Sequence, residues 1–208
     1  MREGWGEGRE NGMTESTSTA PRRGVPLWAQ IIVWVFILGL LGVVALGLRN
    51  AQNRTVTVQP GVQIENFTLP LYDEYQYNGM SQVSMADLRG KVVVVNFWAS
   101  WCKPCEQEAA EMQEAWLEYE PTGEVVFLGV DYVDTPTKAF QYLKKFGITY
   151  PNGEDLNVTL KRPISDYFNI QGVPETYFID KDGVLQYVQV GPFTSIAQIR
   201  AQIDPLLE

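Results

Sequence analysis

The 208-residue sequence contains no histidine, so it lacks the side chain that most often acts as a general acid–base group or zinc ligand. It contains only two cysteines, too few for a zinc site of four thiolates. Basic residues are scarce as well: 16 Lys and Arg face 25 Asp and Glu, and the net charge of −9 argues against a nucleic-acid-binding protein. Chemistry by thiols, carboxylates or hydroxyls remains.

Apolar residues make up 45% of the chain, enough for a folded core, but they are nearly absent from its start. Residues 1–26 are expected to be a disordered tail, because they bury too little surface to offset the entropy of ordering them. The polar residues 49–61 predict a linker ending at Pro60-Gly61. Residues 62–208 predict one folded domain.

The longest hydrophobic run extends from Leu27 to Leu48, and Gln30 is its only strongly polar residue. A helix of about 20 apolar residues is long enough to cross a membrane. The alternative, a cleaved signal peptide, has a shorter apolar stretch of roughly 7–15 residues and a better cleavage site than this run offers. We therefore predict a single-pass transmembrane helix over 27–48. Four Arg before the span and two just after it predict a cytoplasmic N-terminus and an extracytoplasmic domain.

Strand and helix patterns follow one another through the domain. Lys91–Trp98 is apolar on both faces and predicts a buried central strand, and Val125–Val130 predicts a second one. The other predicted elements are a hairpin of Phe67–Leu71 and Gln82–Ser84, helices after Cys105, over Thr137–Phe146 and over Ile164–Asn169, a hairpin of Thr176–Asp180 and Val184–Val190, and a helix from Ser195. This order predicts an α/β sheet with helices on both faces.

The two cysteines, Cys102 and Cys105, lie between the predicted central strand and the helix that follows it. Thiols at this spacing can close a small disulfide ring, and a helix N-terminus stabilises the Cys102 thiolate. Pro104 suits the first helical turn, where no N–H is needed. One alternative is half of a zinc site, which lacks two further ligands; the other is a structural disulfide, which is rare as a lone pair at such a junction. The motif predicts thiol redox chemistry.

The segments Val94–Glu108 (VVNFWASWCKPCEQE) and Gly172–Thr176 (GVPET) resemble membrane-anchored thioredoxin-like proteins of the TlpA/ResA/CcmG (DsbE) family. The resemblance covers residues 62–208 and the anchor. It implies a thioredoxin-like α/β fold: a central mixed sheet flanked by helices, with an N-terminal β-hairpin and a helical insert that includes Thr137–Pro151. The Gly-Val-Pro-Glu sequence resembles the CcmG branch, whose members serve cytochrome c maturation.

The resemblance also implies a role for the residues of these motifs. Cys102 is expected to be the attacking thiolate and Cys105 the more buried resolving thiol. Their redox-active disulfide is the only cofactor implied, and no metal is expected. Pro174 is expected to be a cis-proline that faces the cysteines and exposes the Val173 backbone to a partner. An ordinary trans proline is the alternative for Pro174.

Two acidic residues are further candidates. Glu108 follows Cys105 by three residues on the same helical face, and the resemblance implies that it tunes the thiols and moves protons. A solvated glutamate of an acidic helix is the alternative for Glu108. Glu175 follows Pro174 and matches an acidic position of the CcmG branch, so the resemblance implies that it contacts the substrate; a loop-edge charge is its alternative. Asn96 stands where cytosolic thioredoxins have a buried Asp that transfers protons. Because an Asn side chain cannot do this, proton transfer is expected to depend more on Glu108.

Aromatic and apolar residues around the motif complete the expected site. Trp101, Pro104 and Val173 are expected to contact the substrate. Trp101 is also expected to shield the cysteines, and Trp98 either shields them or belongs to the core.

Together these features predict a membrane-tethered thiol–disulfide oxidoreductase of the protein-disulfide reductase type, acting outside the cytoplasm. The resemblance implies a protein substrate, such as the Cys-x-x-Cys-His site of apocytochrome c, and a membrane electron donor of the CcdA/DsbD type. A general disulfide oxidase and a peroxidase-like thiol enzyme are alternatives. A non-catalytic docking module is another, suggested by Tyr72, Tyr75 and Tyr77 and by a net charge of −11 after Arg54.

Overall fold

The computed structural model describes residues 26–52, 58–159 and 161–208, and within the first of these ranges residues 45–52 are described by their backbone alone. The chain divides into two compact units between Asn53 and Arg54. The predicted tail, apart from Pro26, and the linker segment 53–57 lie outside the described residues.

The described part of the first unit, residues 26–52, contains one helix, α1 (Leu27–Gln52). Its segment Leu27–Val44 has a mean hydropathy of 2.4, and by length and composition it could cross a membrane. The helix begins at the residue predicted for the span and continues four residues beyond Leu48.

The second unit is built on two sheets. Its strands are β1 (Thr68–Pro70), β2 (Gln82–Ser84), β3 (Val92–Trp98), β4 (Val125–Asp131), β5 (Asn152–Glu154), β6 (Glu175–Ile179) and β7 (Leu185–Val190). Its helices are α2 (Lys103–Tyr119), α3 (Pro136–Phe146), α4 (Ile164–Phe168) and α5 (Ile196–Leu207). β1 and β2 form the predicted antiparallel hairpin, and the other strands form a mixed sheet in the order β5-β4-β3-β6-β7.

The central strand β3 explains how this sheet is covered on both sides. All seven of its residues are buried, because successive side chains point to opposite faces and each face carries its own core. Val92 and Val94 belong to one core, whereas Val93, Val95 and Phe97 belong to the other. The prediction of a strand that is apolar on both faces is confirmed.

Each face of the sheet has its own helices. On one face α2, α3 and α5 contribute Met112, Tyr142 and Ile199 to the core. On the opposite face α4 and the β1–β2 hairpin contribute Tyr167 and Leu69. The predicted α/β sheet with helices on both faces is therefore confirmed.

The edge strand β5 was not predicted, because its three residues, Asn152-Gly153-Glu154, carry no apolar pattern. It forms through parallel pairing with the end of β4, where Gly129 lies opposite Asn152. The hairpin then packs over it so closely that a Cβ atom on Gly153 would lie 1.8 Å from the carbonyl oxygen of Pro70. At the other edge, Gly61 and Val62 exchange backbone hydrogen bonds with Leu185 at the start of β7.

Strand direction places the candidate site at one edge of the sheet. β3, β4 and β5 are parallel, so their carboxyl ends lie together, and Trp98 at the end of β3 is in register with Asp131. β6 is antiparallel to β3, and its first residue, Glu175, pairs with Phe97. The loop before β6 therefore meets the segment after β3, which carries the cysteines.

Candidate active site

The two cysteines stand where the chain leaves β3 and enters α2. Cys102 is the N-cap residue of this helix, and its sulfur accepts a hydrogen bond of 3.1 Å from the backbone N–H of Cys105. The two sulfurs form a disulfide bond. Pro104 lies in the first turn, where its missing N–H leaves no helical hydrogen bond unmade. After reduction, the same N–H and the positive end of the helix dipole stabilise a Cys102 thiolate.

The loop before β6 faces this pair. The Val173–Pro174 peptide bond is cis, the isomer that the resemblance implies. The carbonyl oxygen of Val173 lies 3.4 Å from Cys102 Sγ. The disulfide has no S–H to donate, so this is a contact in the oxidised protein and an available acceptor for the reduced thiol.

A shallow, mainly apolar groove of about 260 Å³ adjoins the cysteines. Its walls include Pro104, Gly172, Val173, Pro174, Glu175 and Pro192. Four of the expected substrate-contacting or catalytic residues thus share one concave surface, while both cysteines are almost completely buried. A partner segment lying in this groove would pass beside the Val173 backbone.

The two tryptophans of the motif occupy different environments. Trp101 is 56% exposed, and its indole N–H donates a hydrogen bond of 3.1 Å to the carbonyl of Val133. Trp98 is buried, stacks on Tyr142 at a centroid distance of 4.5 Å and donates to Asn152 Oδ1. Trp98 therefore belongs to the core, one of the two roles expected for it, and Trp101 is the tryptophan of the exposed surface.

Glu108 is buried on α2, with only 2% of its surface exposed. One carboxylate oxygen accepts a hydrogen bond of 2.9 Å from the Asn96 amide, and the other accepts one of 3.0 Å from the backbone N–H of Phe193. Burial raises the pKa of Glu108 to about 7, although both hydrogen bonds act in the opposite direction. The alternative of a solvated glutamate is wrong. Glu108 lies one helical turn after Cys105 on α2, and both residues are buried.

Glu175 is also buried, as the first residue of β6. Its oxygens accept hydrogen bonds of 2.8 Å from the backbone N–H of Gln171 and 2.7 Å from the hydroxyl of Tyr177. The alternative of a loop-edge charge is wrong, because this carboxylate ties the Gln171–Pro174 loop to the sheet. Glu175 lines the groove while holding the loop that forms it.

Sequence reasoning missed Tyr142, whose hydroxyl donates a hydrogen bond of 2.9 Å to the carbonyl of Cys105. Burial raises the pKa of this phenol, so it remains a donor at neutral pH. Tyr72 and Tyr75, considered above as a partner surface, are buried and pack against Phe140. The loop-packing role of these two tyrosines weakens the case for a docking module.

Asp131 was missed as well. It ends β4, is 4% exposed and accepts a hydrogen bond of 2.7 Å from the hydroxyl of Tyr72. Burial is the largest cause that raises the pKa of Asp131 to about 7. The sequence did contain a signal for it, an aspartate directly after an apolar strand. The neighbouring parallel strand β3 ends at the same edge of the sheet and leads to the cysteines.

Comparison with known proteins places this site among thioredoxin-like redox proteins. The sequence model of the AhpC/TSA family matches residues 60–188, more than half of the chain. A thiol-disulfide oxidoreductase ResA of Oceanobacillus iheyensis is 36% identical over 115 residues, which cover 55% of this chain and 57% of that protein. The chain thus spans little more than half the length of this ResA relative.

Two further similarities cover more of the chain. The thioredoxin-like protein YneN of Bacillus subtilis is 29% identical over 162 residues, 77% of this chain and 89% of YneN. A crystal structure titled as a DsbE-type thiol:disulfide interchange protein from Chlorobium tepidum superposes with a TM-score of 0.62. It covers 73% of this chain and all of that chain at 23% identity, which shows the shared fold. The predicted thioredoxin-like fold and the resemblance to ResA and DsbE proteins are confirmed.

Proposed function

The chain belongs to the AhpC/TSA family, and from this premise we propose that it is a membrane-tethered thiol–disulfide oxidoreductase that reduces disulfides of partner proteins. The observation that carries the proposal is the Cys102–Cys105 disulfide at the start of α2, with the Val173 carbonyl 3.4 Å from Cys102 Sγ. The apolar helix α1 supports the tether, because Leu27–Val44 is long enough to cross a membrane.

The chemistry starts from the reduced cysteine pair. The Cys102 thiolate attacks one sulfur of the substrate disulfide, the substrate S–S bond breaks, and one substrate thiolate leaves. Cys105 then attacks Cys102 in the resulting mixed disulfide and releases the second substrate thiolate. The enzyme is left as the disulfide and needs two electrons from a donor before the next cycle.

A buried carboxylate near the cysteines takes up a proton during this cycle. Glu108 follows Cys105 by one helical turn, and its pKa of about 7 lets it accept the proton that the Cys105 thiol loses on attack. Asn96 holds the Glu108 carboxylate in place from β3. These are the roles that we propose for Glu108 and Asn96.

The partners follow from the family resemblance. We propose apocytochrome c as the substrate and a membrane protein of the CcdA/DsbD type as the electron donor. The catalytic domain would then lie outside the cytoplasm, with the N-terminus of the chain inside. A protein substrate agrees with a site that is an open groove beside the Val173 backbone.

Trapping the mixed disulfide tests the mechanism. Cys105→Ser is expected to accumulate a covalent adduct with a disulfide-containing protein substrate, and Cys102→Ser is expected to form none. The double variant, with both substitutions, is the matched control. Absence of an adduct for Cys105→Ser, in both oxidising and reducing buffers, would count against the mechanism. A double variant that still supports cytochrome c maturation in the cell would favour a docking module instead.

The reduction potential determines the direction of electron flow. A value near that of thioredoxin, about −270 mV, supports a reductase with a dedicated electron supply. A value near about −120 mV would identify a disulfide oxidase and overturn the proposed reduction of apocytochrome c. Peroxide consumption by the wild-type protein, measured in parallel, tests the peroxidase-like alternative.

A further inference from the structure

An open cavity of about 350 Å³ is lined jointly by the segment that carries the cysteines and by the helix α3. Trp101 and Glu106 line it from that segment, and Lys138 and Lys145 line it from α3. We call this cavity the lysine cleft. None of its lining residues also lines the groove beside Pro174, so the lysine cleft is a second, distinct surface next to the cysteines.

The lysine cleft carries an excess of positive charge, although the residues after Arg54 have a net charge of −11. Two lysines line it against one carboxylate, that of Glu106. The Oε1 atom of Glu106 lies 3.1 Å from Lys103 Nζ and 3.2 Å from Lys145 Nζ, so one negative charge is shared by two positive ones. Hydrogen bonds from these two lysines lower the pKa of Glu106, which stays ionised at neutral pH.

Lys138 has no acidic partner within the part of the chain that the structure describes. Asp134, four residues earlier, uses its two oxygens to accept from the backbone N–H groups of Ser100 and Thr135. Lys138 also lies in the first turn of α3, which begins at Pro136. The positive end of a helix dipole disfavours a lysine there and favours an anion. A carboxylate bound at this position would relieve the repulsion.

The ring of Trp101 forms an apolar wall of the lysine cleft, and more than half of it is exposed. Its indole N–H is held by the hydrogen bond to the Val133 carbonyl. Val133 has a φ of 48°, a left-handed conformation that strains a β-branched residue. Such strain persists only where surrounding contacts enforce it, and it is concentrated at functional sites. The lysine cleft therefore has an aromatic surface that is already in position beside its lysines.

The lysine cleft borders both cysteines. Trp101 directly precedes Cys102 in the chain. Tyr142 also lines the cleft, and its hydroxyl donates the hydrogen bond to the carbonyl of Cys105. When Cys102 attacks a partner disulfide, the partner residues that flank this disulfide are therefore brought next to the cleft.

We propose that the lysine cleft binds an aspartate or glutamate side chain of the protein whose disulfide Cys102 attacks. The carboxylate accepts hydrogen bonds from the ammonium groups of Lys138 and Lys145, and the Trp101 ring packs against the apolar part of the same partner segment. The inference rests on the proposed function and adds a specificity to it. An acidic domain attracts basic partners at long range, so selection of an acidic residue at this position has the opposite sign and can be measured separately.

Two series of disulfide peptides test this inference with the full chain, reduced beforehand and kept in non-ionic detergent. Each peptide contains one Cys-x-x-Cys disulfide and, at one of the three positions on either side of it, a glutamate in one series or a glutamine in the other. The rate constant for oxidation of the protein by each peptide is divided by that of the same peptide with dithiothreitol, which removes the effect of the carboxylate on the disulfide itself. Wild-type protein is expected to prefer glutamate about threefold at one or more positions.

Lys138→Gln is expected to bring this ratio towards one, because it removes a charge of the lysine cleft. Lys144→Gln is the matched control: it removes the same charge from the same helix, at an exposed residue that does not line the cleft. The ratio is expected to remain about threefold in this control. An equal fall in both variants would show general attraction to α3 and overturn the proposal, as would a wild-type ratio near one at every position.

Binding without redox chemistry separates this inference from the proposed function. The same peptides, with both cysteines changed to serine, are titrated into the oxidised protein and followed by the NMR signal of the Trp101 indole N–H. A saturable shift at lower concentrations of a glutamate peptide than of its glutamine counterpart, present in wild type and lost in Lys138→Gln, supports the lysine cleft even if no disulfide peptide is reduced. Equal titrations of the two series overturn it and leave the proposed function standing.

Discussion

The side-chain amide of Asn96 donates hydrogen bonds of 2.9 Å both to Glu108 and to the hydroxyl of Thr176. It thereby connects the central strand with the active-site helix and with the strand after Pro174. Glu108 accepts from donors on both sides, since Phe193 occupies its second oxygen. Three segments distant in sequence are thus held around one buried carboxyl.

Glu108 makes stability depend on pH. Burial raises its pKa from 4.5 to about 7, so between these values the folded protein holds more protons than the unfolded chain. This contribution to stability is complete below pH 4.5 and is lost as the pH rises through 7. Glu108→Gln is expected to reduce that loss by about 3 kcal/mol, measured by urea unfolding between pH 4.5 and 7.5. Glu114→Gln, on the exposed side of α2, is the control, and equal pH slopes for both variants would refute the assignment.

Asn96→Asp is expected to set two buried carboxyls against each other. Glu108 would then lose the hydrogen-bond donor Asn96 and lie beside a second carboxyl. Each negative charge would disfavour ionisation of the other group. The variant should be about 3 kcal/mol less stable than wild type at pH 8, and the deficit should shrink at pH 5, where the pair holds protons. Asn66→Asp makes the same change on an exposed side chain and should show no such difference. A pH-independent deficit would contradict the prediction.

Tyr142→Phe is expected to cost about 1 kcal/mol of unfolding free energy, because the phenol donates to the buried carbonyl of Cys105. The ring itself remains stacked on Trp98. Chemical denaturation of the oxidised protein measures the effect. Tyr187→Phe removes a hydroxyl that bonds the exposed Gln189 and should cost less. Equal unfolding free energies for Tyr142→Phe and Tyr187→Phe would contradict this prediction.

Gly129→Ala is expected to destabilise the fold by about 1–3 kcal/mol. A Cβ atom at this position would lie 1.8 Å from Asn152 Oδ1, so the Asn152 side chain would have to move and lose its hydrogen bond from the Trp98 indole. Asn152→Ala removes the side chain that the new methyl group meets. The cost of Gly129→Ala should therefore be smaller when measured in the Asn152→Ala background. Additive costs would show that something other than this clash is responsible.

The framework of the fold could be read from local sequence. The apolar run of β3 predicts burial on both faces, and the cysteines at its exit predict the strand–helix junction. The β6–β7 hairpin follows from Lys181-Asp182-Gly183. These signals are local, since a few adjacent residues determine each element.

The remaining features depend on contacts between distant segments. Burial of Glu108 could not be predicted from a helix rich in glutamate, because its partners Asn96 and Phe193 come from elsewhere in the chain. The strand β5 exists only because β4 offers it an edge. The strand predicted to stop at Val130 extends one residue further, which puts Asp131 in register with Glu154.

The order of strands in the sheet also has a consequence during synthesis of the chain. Val173 follows Cys102 by 71 residues, so a ribosome working at about 5–20 residues per second needs on the order of 4–14 s to supply it. Until β6 arrives, β3 has one open side and Cys102 lacks its neighbour in the finished site. Contacts over such separations slow folding, and in this interval the two cysteine thiols are most open to exchange with disulfides of other molecules. The newly made protein is therefore more vulnerable to wrong disulfides than the mature one.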